Sequence, residues 1–301
     1  MEKESQHLFT AGHTACSGCG QAIAARLVVD IAGKSTMIAN NTGCLEVFST
    51  KYPESAWGVP WIHSLFENAA AVASGIEAAL KYLGVKDKIN VICQAGDGGT
   101  ADIGLQALSG MWERGHDILS ICYDNEAYMN TGIQRSGLTP FDTNTSTTPI
   151  GSHSLGNPRP KKPMPEIAVA HGLVYVATAS SGYPRDIENK VRKAISLKGP
   201  KYLQIHVPCP LGWRHESQLT YDIAKLAVET GLYPLIEYEN GKLTNARKLA
   251  QVKPVEEYLK FQGRFKHILN SPEEIKRIQE IADRNIERYS LKSTPAPAAN
   301  L

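Results

Sequence analysis

Short apolar segments alternate with longer amphipathic ones along most of this chain, and this rhythm constrains the fold more than any other feature. Strands buried in a parallel sheet are typically short, nearly continuous apolar runs. Such runs occupy Ser35–Ala39, Ile89–Gln94, Ile118–Tyr123, Val174–Thr178 and Tyr202–Val207. Apolar residues recur three to four positions apart, as in amphipathic helices, over Gln21–Ile31, Leu65–Leu83, Thr100–Arg114, Met164–His171 and Pro184–Ser196. The alternation predicts an α/β fold with a doubly wound, mainly parallel sheet.

The alternation breaks twice. Asn130–Pro165 is rich in Thr, Ser, Gly and Pro and is too long for an ordinary connection, which favours a functional loop. After Pro210 come two short helical stretches, a hairpin turning at Asn240-Gly241, and a charged helix at Pro272–Tyr289. We therefore predict a main domain over residues 1–210 and a partner-contacting C-terminal extension over 211–301, with a disordered tail at Ser293–Leu301.

Composition excludes several classes of protein. The 301 residues carry a formal net charge of +2, which offers no strong field for nucleic acid or an anionic membrane surface. The most apolar stretch, Asn68–Leu80, is shorter than the roughly 20 residues a membrane-spanning helix needs. Met1–Gln6 lacks the basic and apolar regions of a secretory signal. We expect a cytoplasmic protein that binds neither nucleic acid nor membrane.

A glycine-rich turn follows the second predicted strand and indicates a diphosphate site. Gly96-Asp97-Gly98-Gly99-Thr100 opens a predicted helix, whose amino terminus favours an anion, and Asn125 follows the next strand, 27 positions after Gly98. A carboxylate, an amide oxygen and a backbone carbonyl suit a divalent cation that also holds phosphate oxygens. The pattern therefore predicts a magnesium-bridged diphosphate. Taken alone, the glycines are equally compatible with a plain turn between strand and helix.

Four cysteines form a second candidate site: Cys16 and Cys19 in a C-x2-C hook, Cys44, and the distant Cys209. Four thiolates hold either a structural zinc ion or an iron–sulfur cluster, and spacing alone does not separate the two. Cys44 and Cys209 both follow predicted strands, so we expect them at the sheet edge that also carries Asp97 and Asn125. That proximity favours a redox cluster. The remaining cysteines, Cys93 and Cys122, are predicted to be small buried core residues.

Together these motifs resemble the 2-oxoacid:ferredoxin oxidoreductase family, of the pyruvate-oxidising type. The resemblance runs from about Gly12 to Tyr238 and rests on a set of specific segments: Ala15–Gly20, Thr42–Glu46, Trp61–Asn68, Gly96–Thr100, Gly104–Gly110, Tyr123–Gly132 and Cys209–Trp213. It implies a sheet of the thiamine diphosphate-binding type. It also implies oxidative decarboxylation of a 2-oxo acid with coenzyme A, the electrons passing to ferredoxin.

The resemblance also implies roles for individual residues. Cys16, Cys19, Cys44 and Cys209 would hold one [4Fe-4S] cluster, and Asp97, Asn125 and the Ala127 carbonyl would bind Mg²⁺. Asn130 would lie on the substrate side of thiamine diphosphate as the catalytic residue. The further cofactor-binding residues it implies are Gln21, Cys44, Gly96, Gly98, Gly99 and Tyr128. At Gln21 some relatives carry Glu, which leaves its role open.

A chain of this length has no second thiamine-type half and lacks the compact cysteine run of ferredoxin-like domains. The resemblance therefore implies partner subunits that supply the pyrimidine-binding half and further clusters. Pyruvate is the expected substrate. The alternatives are 2-oxoglutarate, a branched-chain oxo acid, an aryl pyruvate or oxalate. A different class of function is a zinc-stabilised, non-catalytic nucleotide-binding or scaffold subunit.

Overall fold

A computed structural model describes residues 7–293 of the chain. Apolar runs bounded by turns form its strands, which are β1 (Thr36–Asn40), β2 (Trp61–His63), β3 (Asn90–Gly96), β4 (Leu119–Asp124), β5 (Ile150–Gly151), β6 (Ser154–Leu155), β7 (Tyr175–Ser180), β8 (Lys201–His206), β9 (Ile236–Glu239) and β10 (Lys242–Ala246). The five predicted strands correspond to β1, β3, β4, β7 and β8, each displaced by no more than two residues at either end.

The helices follow the predicted amphipathic segments, with short additions. They are α1 (Gly20–Ala32), α2 (Cys44–Ser49), α3 (Ala69–Tyr82), α4 (Asp97–Ala101), α5 (Leu105–Glu113), α6 (Met164–Ala170), α7 (Pro184–Ser196), α8 (Pro210–Trp213), α9 (Thr220–Glu229), α10 (Glu256–Leu259) and α11 (Pro272–Arg288). Single 3₁₀ turns lie at Lys86–Lys88, Ser217–Leu219 and Gly263–Phe265. None of the helices within residues 7–293 has the length and apolar character that crossing a bilayer requires.

One sheet dominates the described chain, with strand order β10-β9-β7-β8-β4-β3-β1-β2. The strands from β7 through β2 in this order pair in parallel, whereas β9 and β10 add to the β7 edge in antiparallel fashion. This arrangement confirms the predicted doubly wound, mainly parallel sheet. The separate hairpin of β5 and β6 lies inside the long loop that the sequence marked as functional.

Alternate residues of the buried strands face two cores on opposite sides of the sheet. On one side, Leu119 and Ile121 of β4 pack with the apolar faces of α1 and α7. On the other side, Cys122 of β4 packs with α3, α5 and α6, and Trp112 is the largest buried side chain there. Cys93 also lies in this second core, so the two cysteines predicted to be core residues are indeed buried.

The residues after 210 build a third apolar core around α9, α10 and α11. The predicted hairpin is present, with Asn240 and Gly241 both at positive φ, and its first strand joins the main sheet through β7. The extension is therefore continuous with the sheet along one edge. Of the tail predicted to be disordered, all but Ser293 lies outside the described residues.

One predicted helix is wrong in its continuity. Thr100–Arg114 is split between α4 and α5, with a break at Asp102–Gly104. A Cβ atom at Gly104 would lie 2.0 Å from the Gly99 carbonyl oxygen, so the chain turns tightly there. Asp102 is held by hydrogen bonds from the Tyr128 hydroxyl and the Gly137 amide, 3.2 and 2.8 Å long. These tertiary contacts override the local helical pattern.

Replacing a central side chain of the sheet tests this packing. Leu203 of β8 is fully buried between strands, whereas Leu243 of β10 is 42% exposed. We expect Leu203→Ala to lower the free energy of unfolding in urea by about 2–5 kcal/mol, because it leaves a cavity. The control, Leu243→Ala, should change it by less than about 0.5 kcal/mol. Equal effects of the two substitutions would contradict the assigned burial.

Candidate functional site

The parallel register brings four strand ends to one edge of the sheet. Asn40 pairs with Gln94, Gly96 with Tyr123, and Asp124 with His206, so β1, β3, β4 and β8 end side by side. In an open α/β sheet, ligands bind in the crevice beyond the carboxyl ends of the strands. The residues that follow these ends include Cys44, the glycine turn, Asn125 and Cys209.

A cleft at this edge gathers all the predicted cofactor-binding residues. Its lining includes Gln21, Cys44, Gly96, Asp97, Gly98, Gly99, Asn125, Ala127, Tyr128 and Asn130. Asn130 is exposed at the cleft, whereas the Oε1 atom of Gln21 is buried without a hydrogen-bond partner among the described residues. An unsatisfied buried acceptor is costly, so Gln21 leaves an unused acceptor in the wall of the cleft.

Close packing explains two of the glycines in the turn. A Cβ atom at Gly98 would lie 2.3 Å from the ring of Tyr128, whose hydroxyl donates to the Gly98 carbonyl oxygen at 3.3 Å. A Cβ atom at Gly99 would lie 2.9 Å from Asn41 Nδ2. By contrast, a Cβ atom at Gly96 meets nothing within 4 Å. Two positions therefore need glycine for the protein's own packing, and the third faces open space.

Three oxygen-bearing groups converge beside the turn: the Asp97 carboxylate, the Asn125 side-chain amide and the Ala127 carbonyl. The amide atom of Asn125 that faces them lies 2.8 Å from both Asp97 Oδ1 and the Ala127 oxygen. If this atom is the amide nitrogen, Asn125 donates a hydrogen bond to each of the two oxygens. If it is the amide oxygen, three hydrogen-bond acceptors face one another. Adjacent ligands of an octahedral Mg²⁺ are about 3 Å apart, given Mg–O bonds of about 2.1 Å. The donor set therefore fits the predicted cation.

The electrostatic setting of Asp97 points the same way. Its side chain is buried, and burial together with the Asp124 carboxylate raises the pKa of Asp97 well above its usual range. The Ser136 hydroxyl donates to Asp97 Oδ2 and leaves Oδ1 facing Asn125. A buried carboxyl held by one hydroxyl is costly to ionise, and a bound divalent cation would reverse that cost.

The four predicted cluster cysteines are free thiols, and Cys44 lies near enough to the other three to be affected by their charges. The Cys19 amide donates to the Cys16 carbonyl at 3.1 Å, and the Gly20 amide donates to the Pro208 carbonyl at 3.2 Å, which docks the hook against the segment before Cys209. Burial, and then the charges of the other three thiols, raise the pKa of Cys44 to about 12. Burial likewise raises the pKa of Cys209 to about 11.

Cys19, Cys44 and Cys209 are half-buried and Cys16 is exposed. Thiols that would repel one another as thiolates fit a site in which a metal compensates their charge. Among residues 7–293, however, no three histidine, cysteine or carboxylate side chains stand close enough together to form a ready metal-binding group. The cysteine set therefore has suitable chemistry and a shared neighbourhood without a closed geometry.

Several residues of the site were not anticipated from the sequence. Asn41 bridges the Gly99 carbonyl and the amide of Ala69 at the start of α3, with hydrogen bonds of 3.1 and 2.7 Å. Its position directly after β1, at the carboxyl edge, is a signal that could have identified it. Two basic residues far along the chain, Lys161 and Arg264, also reach this region, and no local pattern marks them.

The chain is similar in sequence and fold to known proteins. Residues 32–205 match the family described as "Thiamine pyrophosphate enzyme, C-terminal TPP binding domain". The chain is 58% identical over 287 residues to "Pyruvate synthase subunit PorB" of Methanosarcina barkeri, covering 94% of this chain and 97% of that protein. It is 49% identical over 275 residues to "Ketoisovalerate oxidoreductase subunit VorB" of Pyrococcus abyssi, covering 89% and 88% of the two chains.

A solved structure shares the fold. It is described as 2-oxoglutarate:ferredoxin oxidoreductase from Magnetococcus marinus with 2-oxoglutarate, coenzyme A and succinyl-CoA bound. The TM-score is 0.58 at 21% sequence identity, over 75% of this chain and 81% of the other.

Two glycine substitutions separate packing from ligand space. We expect Gly98→Ala to lower the melting temperature of the ligand-free chain by several degrees, because the new Cβ atom overlaps the Tyr128 ring. Gly96→Ala should leave that temperature within about 1 °C, since only open space surrounds it. Calorimetry of both variants gives the comparison. Equal melting temperatures for the two would show that Tyr128 does not pack on Gly98.

Proposed function

The chain belongs to the pyruvate synthase PorB family of thiamine pyrophosphate enzymes, and we propose that it is the catalytic subunit of a 2-oxoacid:ferredoxin oxidoreductase acting on pyruvate. Such a subunit would hold thiamine diphosphate, Mg²⁺ and one [4Fe-4S] cluster. The observation that carries the proposal is the convergence of Asp97, Asn125 and Ala127 at a sheet edge that also gathers the cysteines.

In the proposed metal site, Asp97 supplies a carboxylate oxygen, Asn125 its amide oxygen and Ala127 its backbone carbonyl. Hard divalent cations prefer oxygen ligands, and Mg²⁺ keeps positions for substrate or cofactor phosphates. Support comes from the 2.8 Å spacing of Asn125 to its two oxygen neighbours. Ser136 would hold the Asp97 carboxylate in place by its hydrogen bond to Oδ2.

In the proposed cluster site, Cys16, Cys19, Cys44 and Cys209 supply thiolates to iron. Cys44 lines the cofactor cleft, and the charges of the other three cysteines raise its pKa, so it belongs to both proposed sites. A one-electron acceptor beside thiamine diphosphate has a chemical purpose, whereas a structural zinc ion there would not. This argument favours iron over the zinc-stabilised alternative.

The remaining residues of the cleft would bind and orient. Asn130 is exposed and would donate its amide hydrogen to the 2-oxo acid, while Tyr128 covers the glycine turn through its contact with Gly98. Gln21 would use its unpartnered Oε1 toward the cofactor. When bound, thiamine diphosphate supplies the electron sink for decarboxylation. Coenzyme A would accept the acyl group and ferredoxin the electrons.

We expect this chain to act only in a complex. Partner subunits would supply the pyrimidine-binding half of the thiamine site and ferredoxin-like clusters that carry electrons away. Pyruvate is the proposed substrate because the PorB relative is 58% identical to this chain. The VorB relative, at 49%, makes a branched-chain oxo acid the second candidate.

A single experiment tests the function as a whole. The complex is purified anaerobically with its partner subunits, analysed for iron and thiamine, and mixed with pyruvate and coenzyme A while cluster absorbance is followed. The kcat/KM of cluster reduction is compared for pyruvate and 2-oxoisovalerate. A value for pyruvate that is higher by at least about tenfold, a difference of about 1.4 kcal/mol, would establish the proposal. Preference for 2-oxoisovalerate would favour the second candidate. Zinc without thiamine would overturn the assignment.

The magnesium ligand set predicts the effect of removing one carboxylate. We expect Asp97→Ala to abolish thiamine diphosphate retention by the complex while leaving its iron content unchanged, because the cysteines are separate ligands. The control is Asp87→Ala, since Asp87 is an exposed carboxylate paired with Lys198. Thiamine is measured after gel filtration and iron by mass spectrometry. Wild-type retention in Asp97→Ala would refute the metal assignment.

The cluster assignment predicts the reverse pattern. We expect Cys16→Ala to remove about four irons per chain and to leave thiamine retention near its wild-type level. The control is Cys93→Ala, because Cys93 lies buried inside β3, among the core residues. Iron analysis and the visible absorbance of the anaerobically purified complex report the outcome. An unchanged iron content in Cys16→Ala would exclude Cys16 as a ligand.

A further inference from the structure

The turn that carries Asn125 and Ala127 has an unusual backbone. Glu126, between them, has φ of 70°, in the left-handed region that residues other than glycine adopt only when their surroundings enforce it. Its side chain is also buried, with 3% of its surface exposed. Contacts from the surrounding residues must therefore hold Glu126, which lies between two proposed metal ligands, in this conformation.

Two basic side chains donate hydrogen bonds to the carboxylates on either side of Asn125. Lys161 Nζ donates to Asp124 Oδ2 and to Glu126 Oε1, each at 2.8 Å, and so bridges the residues before and after Asn125. Arg264 donates to the other oxygen of Glu126, Oε2, at 2.5 Å. Both oxygens of the Glu126 carboxylate are therefore fixed by cations. His206 lies against the same carboxylate, with Nε2 3.7 Å from Oε1.

The backbone of the turn is fixed as well. The Thr139 hydroxyl donates to the Glu126 carbonyl at 2.7 Å, and the indole of Trp213 donates to the Asn125 carbonyl at 2.8 Å. The guanidinium of Arg264 lies 3.7 Å from the centre of the Trp213 ring, so one arginine supports both the Glu126 carboxylate and the indole that holds Asn125.

A buried ion pair by itself is weak support for stability, because the cost of desolvating two charges offsets their attraction. Such pairs are better at fixing one geometry. Here the fixed geometry belongs to the two residues whose oxygens face Asp97. Outer contacts of this kind orient the ligands of metal sites in proteins.

We infer that Arg264 and Lys161 are positioning residues that hold the turn Asp124–Ala127 in the one conformation that presents Asn125 and Ala127 to Mg²⁺. Arg264 lies in the 3₁₀ turn Gly263–Phe265 of the C-terminal extension. The extension thus contributes to the proposed cofactor site through the contacts of Arg264 with Glu126 and Trp213. This inference rests on the proposed magnesium site and assigns a task to residues that the comparison with relatives does not describe.

The test uses Arg264→Met, which keeps much of the side-chain volume and removes the charge, in the full complex stripped of Mg²⁺ and thiamine diphosphate. We expect the Mg²⁺ concentration for half-maximal thiamine retention to rise by about tenfold or more. In the metal-free chain, amide exchange across residues 125–128 should accelerate at least about tenfold. Arg264→Lys, which keeps the charge on a different geometry, should fall between wild type and Arg264→Met.

The control is Arg277→Met, because Arg277 belongs to the same extension but pairs with Glu273 and Glu274 on its own helix. It should match wild type in both measurements. Should Arg264→Met fail to fold, as judged by iron content, Arg264→Lys carries the same comparison. The inference would be overturned if a folded Arg264 variant needed the same Mg²⁺ concentration as wild type for half-maximal thiamine retention and showed the same amide exchange rate across residues 125–128. A wild-type complex that retains no thiamine at any Mg²⁺ concentration would instead overturn the proposed function, while the exchange data would still decide whether Arg264 holds the turn.

Discussion

The parallel pairing of β3 with β4 is the constraint on which the rest of the site depends. Its register sets Gly96 beside Tyr123, so the turns that follow the two strands leave the sheet as neighbours. Asp97 and Asn125 come within hydrogen-bond distance only because of that pairing. A slip of one residue would move each side chain of β4 to the opposite core and separate the two groups. The two apolar cores therefore protect the geometry of the cleft as well as the stability of the fold.

Acidic groups and basic groups lie on different sides of the turn Asp124–Ala127. On the ligand side stand a buried carboxyl and a set of thiols whose pKa values are raised by burial and by one another. Behind the turn, by contrast, Lys161 and Arg264 neutralise the carboxylates that flank Asn125. The acidic groups on the face where cations are proposed to bind are therefore hard to ionise without a cation, and a bound cation would favour their charged forms.

Local patterns in the sequence predicted most of the fold and the outline of the site. The strands and the residues of the glycine turn could be read because apolar runs, glycines and strand ends are local signals. The break between α4 and α5, and the antiparallel attachment of β9 to β7, could not, since both follow from contacts with distant segments. The pairing of Glu126 with Arg264 could not be predicted either, because the two residues are far apart in the sequence and no local pattern links them. The cluster and magnesium ligands themselves remain predictions.

The contact between Arg264 and Glu126 joins residues 138 positions apart, and this separation has a consequence for biosynthesis. During translation the sheet up to β4 can form while Arg264 is still unmade, since domains begin to fold as they emerge from the ribosome. Over that interval Glu126 lacks the partner of its Oε2 oxygen, one of the contacts that hold its left-handed backbone. The turn that carries the proposed magnesium ligands would consequently gain its full set of contacts only after the extension has emerged and docked.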